Sequence, residues 1–589
     1  MNRKSDNLDN LSHSCAHLLA AAVIDLWPKA LRTIGPAIEN GFYYDFDFGD
    51  IKVGDEDLPK IEAKMHEILA TWDSFTGREV TVEAAKGLYI GNPYKQELID
   101  ELAGEGQKLT IYKSGNYEDL CRGGHITNPK ETLKHFRLTH IAGAYWRGNE
   151  KNKMLTRIYG TCWPSAKQLE HYLWQIEEAK KRDHKKLAKA LDLIVFSDLV
   201  GSGLPLYTPK GATLRSQIYN YSRELNSEIG YGETALPGMN RGELFKVSGH
   251  YDKYKDDMFT VHSHYSEEEF FLKPMNCPQH CVVYASRPRS YRDLPIRLSD
   301  FSVLYRDERP GEINGLLRSR AFTQDDGHCF CREDQIGEEF ERVLNVVDTA
   351  LKTYGFQYWI RLSLRDPNNP AKYLGNDEIW NRAESKLKQL VISRSIPYKE
   401  VLGEAAIYGP KLDFMATDSL GREWQLSTIQ LDMNMPGRFE LSYTDSDGQF
   451  KTPILIHRAI IGSERFIAIL IEHYAGAFPT WLAPVQNIIL PISEKHADYA
   501  AKVKSELVAT GIRVELDARN ESLNSRIRDA ELQKIPYILV VGDKEVVDGS
   551  VSVRRRGKQE SSFQKLSEFA SSISKEISSR SLGPTTPKS

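Results

Sequence analysis

Two groups of residues in this sequence have types and spacings suited to chemistry. The first lies in residues 301–331, FSVLYRDERPGEINGLLRSRAFTQDDGHCFC, where arginines, acids, an aromatic, an amide, a histidine and two cysteines crowd one short stretch. The guanidinium of Arg306 presents a planar fork of donors that holds a carboxylate or phosphate in one orientation, which a lysine does poorly. Phe322 offers a face for a nucleobase, and Glu308 can accept from an exocyclic amine. The competing reading is a charged hairpin whose surface ion pairs are worth roughly 0–1 kcal/mol each. The second group is split along the chain: His13 and His17 in HSCAH, and Cys121 and His125 in DLCRGGH. Histidines at i and i+4 share one helix face, from which Cys15 points away. HxxxH with CxxxH suits a four-ligand zinc site, or is two unrelated polar pairs.

These groups need elements to hold them. An apolar run ahead of Tyr305-Arg306-Asp307-Glu308 suits a strand, and Arg309-Pro310-Gly311 with Asn314-Gly315 supplies turn chemistry, so strand, loop and returning strand are predicted. The histidine pair requires a helix, predicted over residues 11–26. Ser165-x-x-Gln168 is a capping box that starts a connecting helix, whose Leu169, Tyr172, Leu173, Ile176 and Ala179 repeat at helical spacing. Its basic end, KKRDHKKLAKAL, is either a solvated face or a surface that brushes phosphates. Residues 193–482 suit a large antiparallel sheet with helices, including a helix over 214–229 and a strand-like stretch over 231–239. Beyond residue 484 the pattern changes to strands at 488–492, 512–516, 537–541 and 551–555 with helices over 497–507 and 524–534, a compact α/β unit. The fold class expected is α+β and multidomain.

At 589 residues the chain has room for about three or four domains. A hydrophobic share of 41% and a charged share of 27% are ordinary for a globular protein. The net charge of −4 does not advertise a polyanion partner, so any nucleic acid must be met by local basic patches. Seven cysteines in so long a chain are no disulfide framework and point to a reducing compartment. The apolar run 16–24 is bounded by His13, His17, Asp25 and Pro28, and no stretch is apolar enough to span a bilayer, so a cytoplasmic protein with no membrane partner is expected.

YRDE followed by RxRAFTQDDxH resembles the second signature motif of class II aminoacyl-tRNA synthetases, and its TQDDxH ending is similar to that of the threonyl-tRNA synthetase family. The resemblance covers nearly the whole chain. It implies domains at 1–163 (an N-terminal α+β tRNA editing domain), 164–191 (connecting helix), 192–482 (a class II catalytic domain on an antiparallel sheet), 483–582 (a C-terminal α/β anticodon-binding domain) and a disordered tail over 583–589. HSCAHLL, DLCRGGH and AGAYWRG look like the editing domain of bacterial relatives, which hydrolyses seryl-tRNA generally without a metal. That resemblance overrides the zinc reading and assigns the cleft to His13, His17, Cys121 and His125, with Asp119 and Lys95 positioning water and substrate.

In the catalytic domain the resemblance implies a Zn²⁺ on Cys277 of KPMNCPQH, His328 and His457, one per subunit, which spacing alone does not reveal. A metal with an open position can bind both amino and hydroxyl groups of threonine and so reject valine, which an apolar pocket separates by only about a hundredfold. Serine keeps the hydroxyl and leaks through, so a hydrolytic site elsewhere in the chain makes physical sense. By position Arg306 holds the α-phosphate and the reacting carboxylate, Glu308 and Phe322 the adenine, Arg318 the outer phosphates, and Gln324 and Asp326 the amino acid. Tyr408, Gln425 and Gln430 match residues near the substrate and the terminal adenosine, and His250 assists the ribose hydroxyl. Mg²⁺ accompanies ATP.

Motif 3 departs from the family: HRAIIGSERF is one residue shorter than HRAxxGSxERF, and a slip absorbed in a helix would rotate Arg465 by about 100° away from the γ-phosphate. Asn520, Lys534, Glu545 and Arg554 match anticodon-reading positions, with Lys534 where an arginine is expected. The helix 214–229, the following strand and Pro237 resemble class II motif 1, implying a homodimer. Bacterial relatives carry a small β-rich domain ahead of the HSCAH helix; this chain starts at Met1 just before it, so a form lacking that domain is expected. The implied activity is ATP-dependent attachment of L-threonine to tRNA(Thr) with editing of seryl-tRNA(Thr). The alternative is a catalytically inactive paralogue that binds tRNA or mRNA.

Overall fold

The computed structural model describes residues 3–583 apart from Arg394, Ser395, Ser463 and Gln559. The tail after Gly583 lies outside the described residues. The chain divides into two compact units, Met1–Glu177 and Glu178–Ser589.

The first unit is built on the helix Arg3–Leu26. It begins well before the expected residue 11, because the polar residues ahead of Leu11 form helix without marking an apolar period. Cys15, Leu18, Leu19 and Ala22 join one core with Phe42, Tyr44, Phe46 and Ile158 of an antiparallel sheet ordered Leu31–Arg32, Gly41–Asp47, Met154–Cys162, Phe136–Tyr145. A second antiparallel sheet, Thr76–Val80, Leu109–Ser114 and Tyr117–Leu120, ends one residue before Cys121. Gly123 and Gly124 then take φ of +96° and +82°, a left-handed pair that L-residues resist, and turn His125 back.

The connector is two helices rather than one: Ala166–Arg182 and His184–Ala190. Asp183 breaks it, since its carboxylate caps the second helix by accepting from the amides of Lys185 and Lys186. Gln168 N donates to Ser165 Oγ at 3.4 Å as a capping box requires, but the Gln168 side chain meets the Ser165 hydroxyl rather than its amide.

The second unit carries an eight-stranded sheet ordered Gly232–Glu233, Ile296–Asp300, Asp326–Cys331, Ile454–Ala459, Glu423–Asp432, Lys411–Thr417, Gln357–Leu364, Tyr398–Leu402. Only the outermost pair at each edge is parallel. The helices Pro209–Glu228, Ile336–Thr353, Asp377–Ile392 and Glu464–His473 share one core with it. The expected strand 231–239 is only Gly232–Glu233 and Met239–Arg241, in two different sheets. The C-terminal part has a mixed sheet ordered Val514–Leu516, Asn487–Pro491, Tyr537–Val541, Ser550–Arg555, Ser561–Lys565. Its strand Ser561–Lys565 and the helices Asp543–Asp548 and Leu566–Ser578 add to the elements expected from sequence.

Candidate active site

Side chains alternate across a strand, and this sheet uses the alternation to separate core from chemistry. Cys329, Cys331, Ile456, Ile429 and Leu431 enter the helix-side core. Their neighbours His328, His457 and Gln430 stand opposite one another across three strands, with Leu298 beyond His328 and Lys411 beyond Gln430. Residues 129 positions apart in sequence, His328 and His457, thereby come within hydrogen-bond distance.

This row floors a cavity of about 310 Å³ whose lining includes Arg306, Glu308, Arg318, Phe322, Gln324, Asp326, Tyr408, Gln425, Gln430 and Arg465, together with Cys277, His328 and His457. The strands Val303–Tyr305 and Ala321–Thr323 pair antiparallel, as expected from sequence, and set Leu304 opposite Phe322. The Arg306 guanidinium lies 5.0 Å from the Phe322 ring centroid. Arg318 Nε donates to Glu308 Oε2 at 2.7 Å, so these two are paired with each other. Arg465 begins the helix Glu464–His473 and donates from Nε to the Leu317 carbonyl at 3.1 Å. Burial and the positive charges of Arg306 and Arg318 lower its pKa, against the opposing charge of Glu308. The shortened motif 3 therefore still directs Arg465 to the cavity; Ser463, beside the shortening, lies outside the described residues.

Asp326 accepts from Asn276 Nδ2 at 3.0 Å, and burial pushes its carboxyl up to about 6, so it favours a cation beside it. Tyr408 stacks on His457 with centroids 4.6 Å apart and donates to Gln430 Oε1 at 2.6 Å. Gln425 bridges Arg361 and the buried Asp413. His250 does not line the cavity: it is buried 6.2 Å from the Tyr408 ring, bonded to Ser248 Oγ at 2.8 Å.

One donor atom from each of Cys277, His328 and His457 lies within 4.8 Å of the others. Hydrogen bonds fix the tautomers. Thr234 Oγ1 donates to the Ser299 carbonyl at 2.9 Å, so it accepts from His280 Nε2 at 2.8 Å. His280 Nδ1 then accepts from His328 Nδ1 at 2.7 Å, which leaves a lone pair on His328 Nε2. His457 Nε2 donates to Asp432 Oδ2 at 3.0 Å, which leaves a lone pair on Nδ1. Those two lone pairs face each other at 3.0 Å, an arrangement that a cation resolves. A buried thiol and two imidazoles, each ring oriented by an outer partner, fit a three-ligand zinc with an open position.

In the first unit His13, His17, Cys121 and His125 also converge, with donor atoms within 4.8 Å of one another. Cys121 Sγ is 3.0 Å from His13 Nε2 and 3.3 Å from His125 Nε2. Ser14 holds this corner by donating to the Asn10 carbonyl and accepting from the Ile126 amide. Burial lowers the pKa of all three histidines, that of His125 to about 3, and raises that of Cys121 to about 11, so a neutral cluster stands at pH 7. Asp119 is saturated: Lys95 Nζ at 2.7 Å, Arg32 Nε at 3.4 Å, and the hydroxyls of Tyr44, Tyr89 and Tyr117 all reach its carboxylate. Its pKa falls far below the carboxylate range despite burial, chiefly through Lys95 and Arg32, so it serves as an anchor for Lys95 rather than as a proton acceptor.

Comparison with known proteins identifies the family. The family model of the tRNA synthetase class II core domain (G, H, P, S and T) matches residues 259–474, that of an anticodon binding domain residues 486–576, and that of the threonyl and alanyl tRNA synthetase second additional domain residues 109–159. The threonine–tRNA ligase of Phocaeicola vulgatus is 47% identical over 96% of this chain and 88% of its own, and that of Rubrobacter xylanophilus 48% identical over 93% and 85%. This chain belongs to the threonyl-tRNA synthetase family. The crystal structure of the RNA binding domain of threonyl-tRNA synthetase from Cryptosporidium parvum superposes with a TM-score of 0.64 at 38% identity, covering 69% of this chain and 99% of that one.

In this threonyl-tRNA synthetase family member the C-terminal candidates are less gathered. Asn520 is exposed, and Arg554 Nη2 pairs with Glu531 at 2.8 Å. Glu545 is buried and accepts from the Gly542 amide at 2.9 Å, capping its own short helix. Lys534 takes φ of +56° just past Leu523–Leu532 and lines a crevice with Leu191, Lys210 and Phe478. Sequence reasoning missed Arg32 and the three tyrosines around Asp119, and also Thr234, His280 and Asp432 behind the metal candidates. For His280 and Asp432 a signal existed, since each lies on the same short segment as a named residue, Cys277 or Gln430.

Proposed function

We propose that this chain attaches L-threonine to tRNA(Thr) through a threonyl-adenylate at the cavity and hydrolyses seryl-tRNA(Thr) at the N-terminal cluster. The observation that carries this is the convergence of Arg306, Arg318 and Arg465 with the facing lone pairs of His328 and His457 on one cavity. Adenylate formation is an in-line displacement at phosphorus, so fixed positive charge and positioning supply most of the acceleration. Arg306 orients the α-phosphate against the threonine carboxylate, Phe322 and Glu308 take the adenine, and Arg318 and Arg465 neutralise the outer phosphates, which Mg²⁺ accompanies. The Arg318–Glu308 pair opens as both take substrate.

Cys277, His328 and His457 would hold a zinc ion that, when bound, offers an open position to the amino and hydroxyl groups of threonine. Asp326 lines the same cavity and would accept a hydrogen bond from the threonine amino group. Gln324, Tyr408, Gln425 and Gln430 frame the substrate and the tRNA terminus, and His250, set behind Tyr408 with ring centroids 6.2 Å apart, is the candidate for assisting the ribose hydroxyl.

At the N-terminal cluster one neutral histidine accepts a proton from the water that attacks the ester carbonyl, and that proton passes to the departing ribose oxygen, with Lys95 fixed by Asp119 as the local cation. Cys121 is a thiol at neutral pH and orients His13 and His125. The domains proposed are 1–163, 164–191, 192–482, 483–582 and a tail, with Asn520, Lys534, Glu545 and Arg554 at the anticodon. The chain acts as a cytoplasmic homodimer. Leu199, Leu206 and Met239 are exposed apolar side chains of the kind a partner subunit would cover; among the described residues no helix is long and apolar enough to cross a membrane. The inactive-paralogue reading is not favoured, because every arginine of the anion clamp reaches the cavity.

Threonine-dependent ATP–pyrophosphate exchange, run beside serine and valine and repeated after chelation, tests the proposal. Exchange with threonine, weaker with serine, absent with valine and lost on chelation is expected. Silence with every amino acid while tRNA still binds would overturn it.

A further inference from the structure

We infer that His184, in the short connector helix, is a positioning residue for ATP: it acts through the Leu316 amide on the loop that carries Leu317 and Arg318 into the cavity. The inference rests on the ligase reading of the cavity and extends it to a residue that touches no substrate.

His184 is buried and uses both ring nitrogens. Nδ1 donates to Glu472 Oε1 at 2.7 Å, and a carboxylate only accepts, so the proton sits there. Nε2 is left with a lone pair and accepts from the Leu316 amide at 3.2 Å. Glu472 is itself fixed by the His184 amide at 3.1 Å and by Arg422 Nη2 at 2.6 Å.

Glu472 stands two turns beyond Arg465 on the helix Glu464–His473, so the two share a face. That one helix pins the loop twice. Arg465 Nε reaches the Leu317 carbonyl directly, and Glu472 reaches the Leu316 amide through His184. The loop is shaped for this contact. Gly315 lies against the ring with φ of +51°, and a Cβ there would stand 2.3 Å from His184 Nε2. Lys185 Nζ adds a bond to Asn314 Oδ1 at 3.2 Å, and Leu317 N closes the turn on the Asn314 carbonyl at 2.9 Å. Arg318, the next residue, must face the outer phosphates from a loop whose own backbone bonds, Asn314 with Leu317 and with Arg318, close the turn on itself, and this clamp ties that turn to the connector and to the helix Glu464–His473. A histidine that merely filled space would not need an acceptor aimed at one loop amide.

Two polar replacements separate the roles. His184→Gln keeps an acceptor near the position of Nε2, whereas His184→Asn keeps a donor near Nδ1 and loses that acceptor. The KM for ATP is expected to rise about tenfold in H184N, the loss of one buried hydrogen bond, and less than about threefold in H184Q. The KM for threonine stays within about twofold in both, and amide exchange over residues 312–318 accelerates only in H184N. Gly315→Ala, which pushes the loop off the ring from outside, should reproduce the H184N split should that variant fail to fold. Equal effects of Asn and Gln, or equal rises in both KM values, with loop exchange unchanged would overturn the inference. Absence of exchange in the unmutated protein would instead sink the ligase reading, and the loop's amide exchange would still decide the role of His184.

Discussion

Removing the Arg465 guanidinium tests whether the shortened motif 3 still serves the phosphates. Arg465 lines the cavity beside Arg306 and Arg318, and among the described residues its side chain is held by Nε donating to the Leu317 carbonyl. That leaves both terminal nitrogens of the fork for an anion. A hydrogen bond to a charged group contributes about 1.5–3 kcal/mol. At about 1.4 kcal/mol per decade, Arg465→Ala should lower kcat/KM for ATP by about 10- to 150-fold. Arg465→Lys keeps the charge but loses both the fork and the Leu317 bond, so it should fall between the two. Arg465→Ala also removes like-charge repulsion with Arg306 and Arg318, so its Tm should not drop. ATP–pyrophosphate exchange at saturating threonine with varied ATP, beside a thermal melt, reads both quantities. A kcat/KM for ATP within about twofold of the unmutated protein would show that the missing residue has carried Arg465 off the phosphates.

Thr234→Val removes the acceptor that fixes His280 and, through it, His328; metal affinity measured by chelator competition should weaken about tenfold, the lower end for an outer-sphere partner. Lys95→Met strands Asp119 as a buried charge left with Arg32, three hydroxyls and the Leu120 amide, and should destabilise the N-terminal unit by about 3–5 kcal/mol in denaturant melts, with part of the loss recovered in Lys95→Met/Asp119→Asn. His125 is depressed to about 3 in the folded chain, and His13 and His17 are lowered as well, so the unfolded chain binds more protons as pH falls. The stability of that unit should be complete above pH 6.5 and fall steadily towards pH 3, and a melt that strengthened on acidification over this range would contradict the neutral cluster.

The parts of this protein legible in the sequence were those written locally. Strand, loop and returning strand around Arg306, the helix carrying His13 and His17, and the alternating elements past residue 484 each follow from period and turn chemistry within a short window. What was not legible depends on register. Nothing near His457 says that it stands opposite His328 with Gln430 on its other side; that follows only once three strands are aligned, and a slip by one residue would send both imidazoles into the apolar core beside Cys329 and Ile456. The same holds for the connector. KKRDHKKLAKAL reads as a basic solvated helix, and its lysines do stay largely exposed, yet Asp183 breaks the helix and its one histidine turns inward to a carboxylate almost three hundred residues away. A charge run hides such a residue because composition averages over the face, whereas the packing of Glu472 and Gly315 selects a single ring. The residues that orient the chemistry, His184, His280, Asp432 and Arg32, are therefore the ones a linear reading loses: each acts through another residue, and it is the partner, not the residue itself, that carries the recognisable motif.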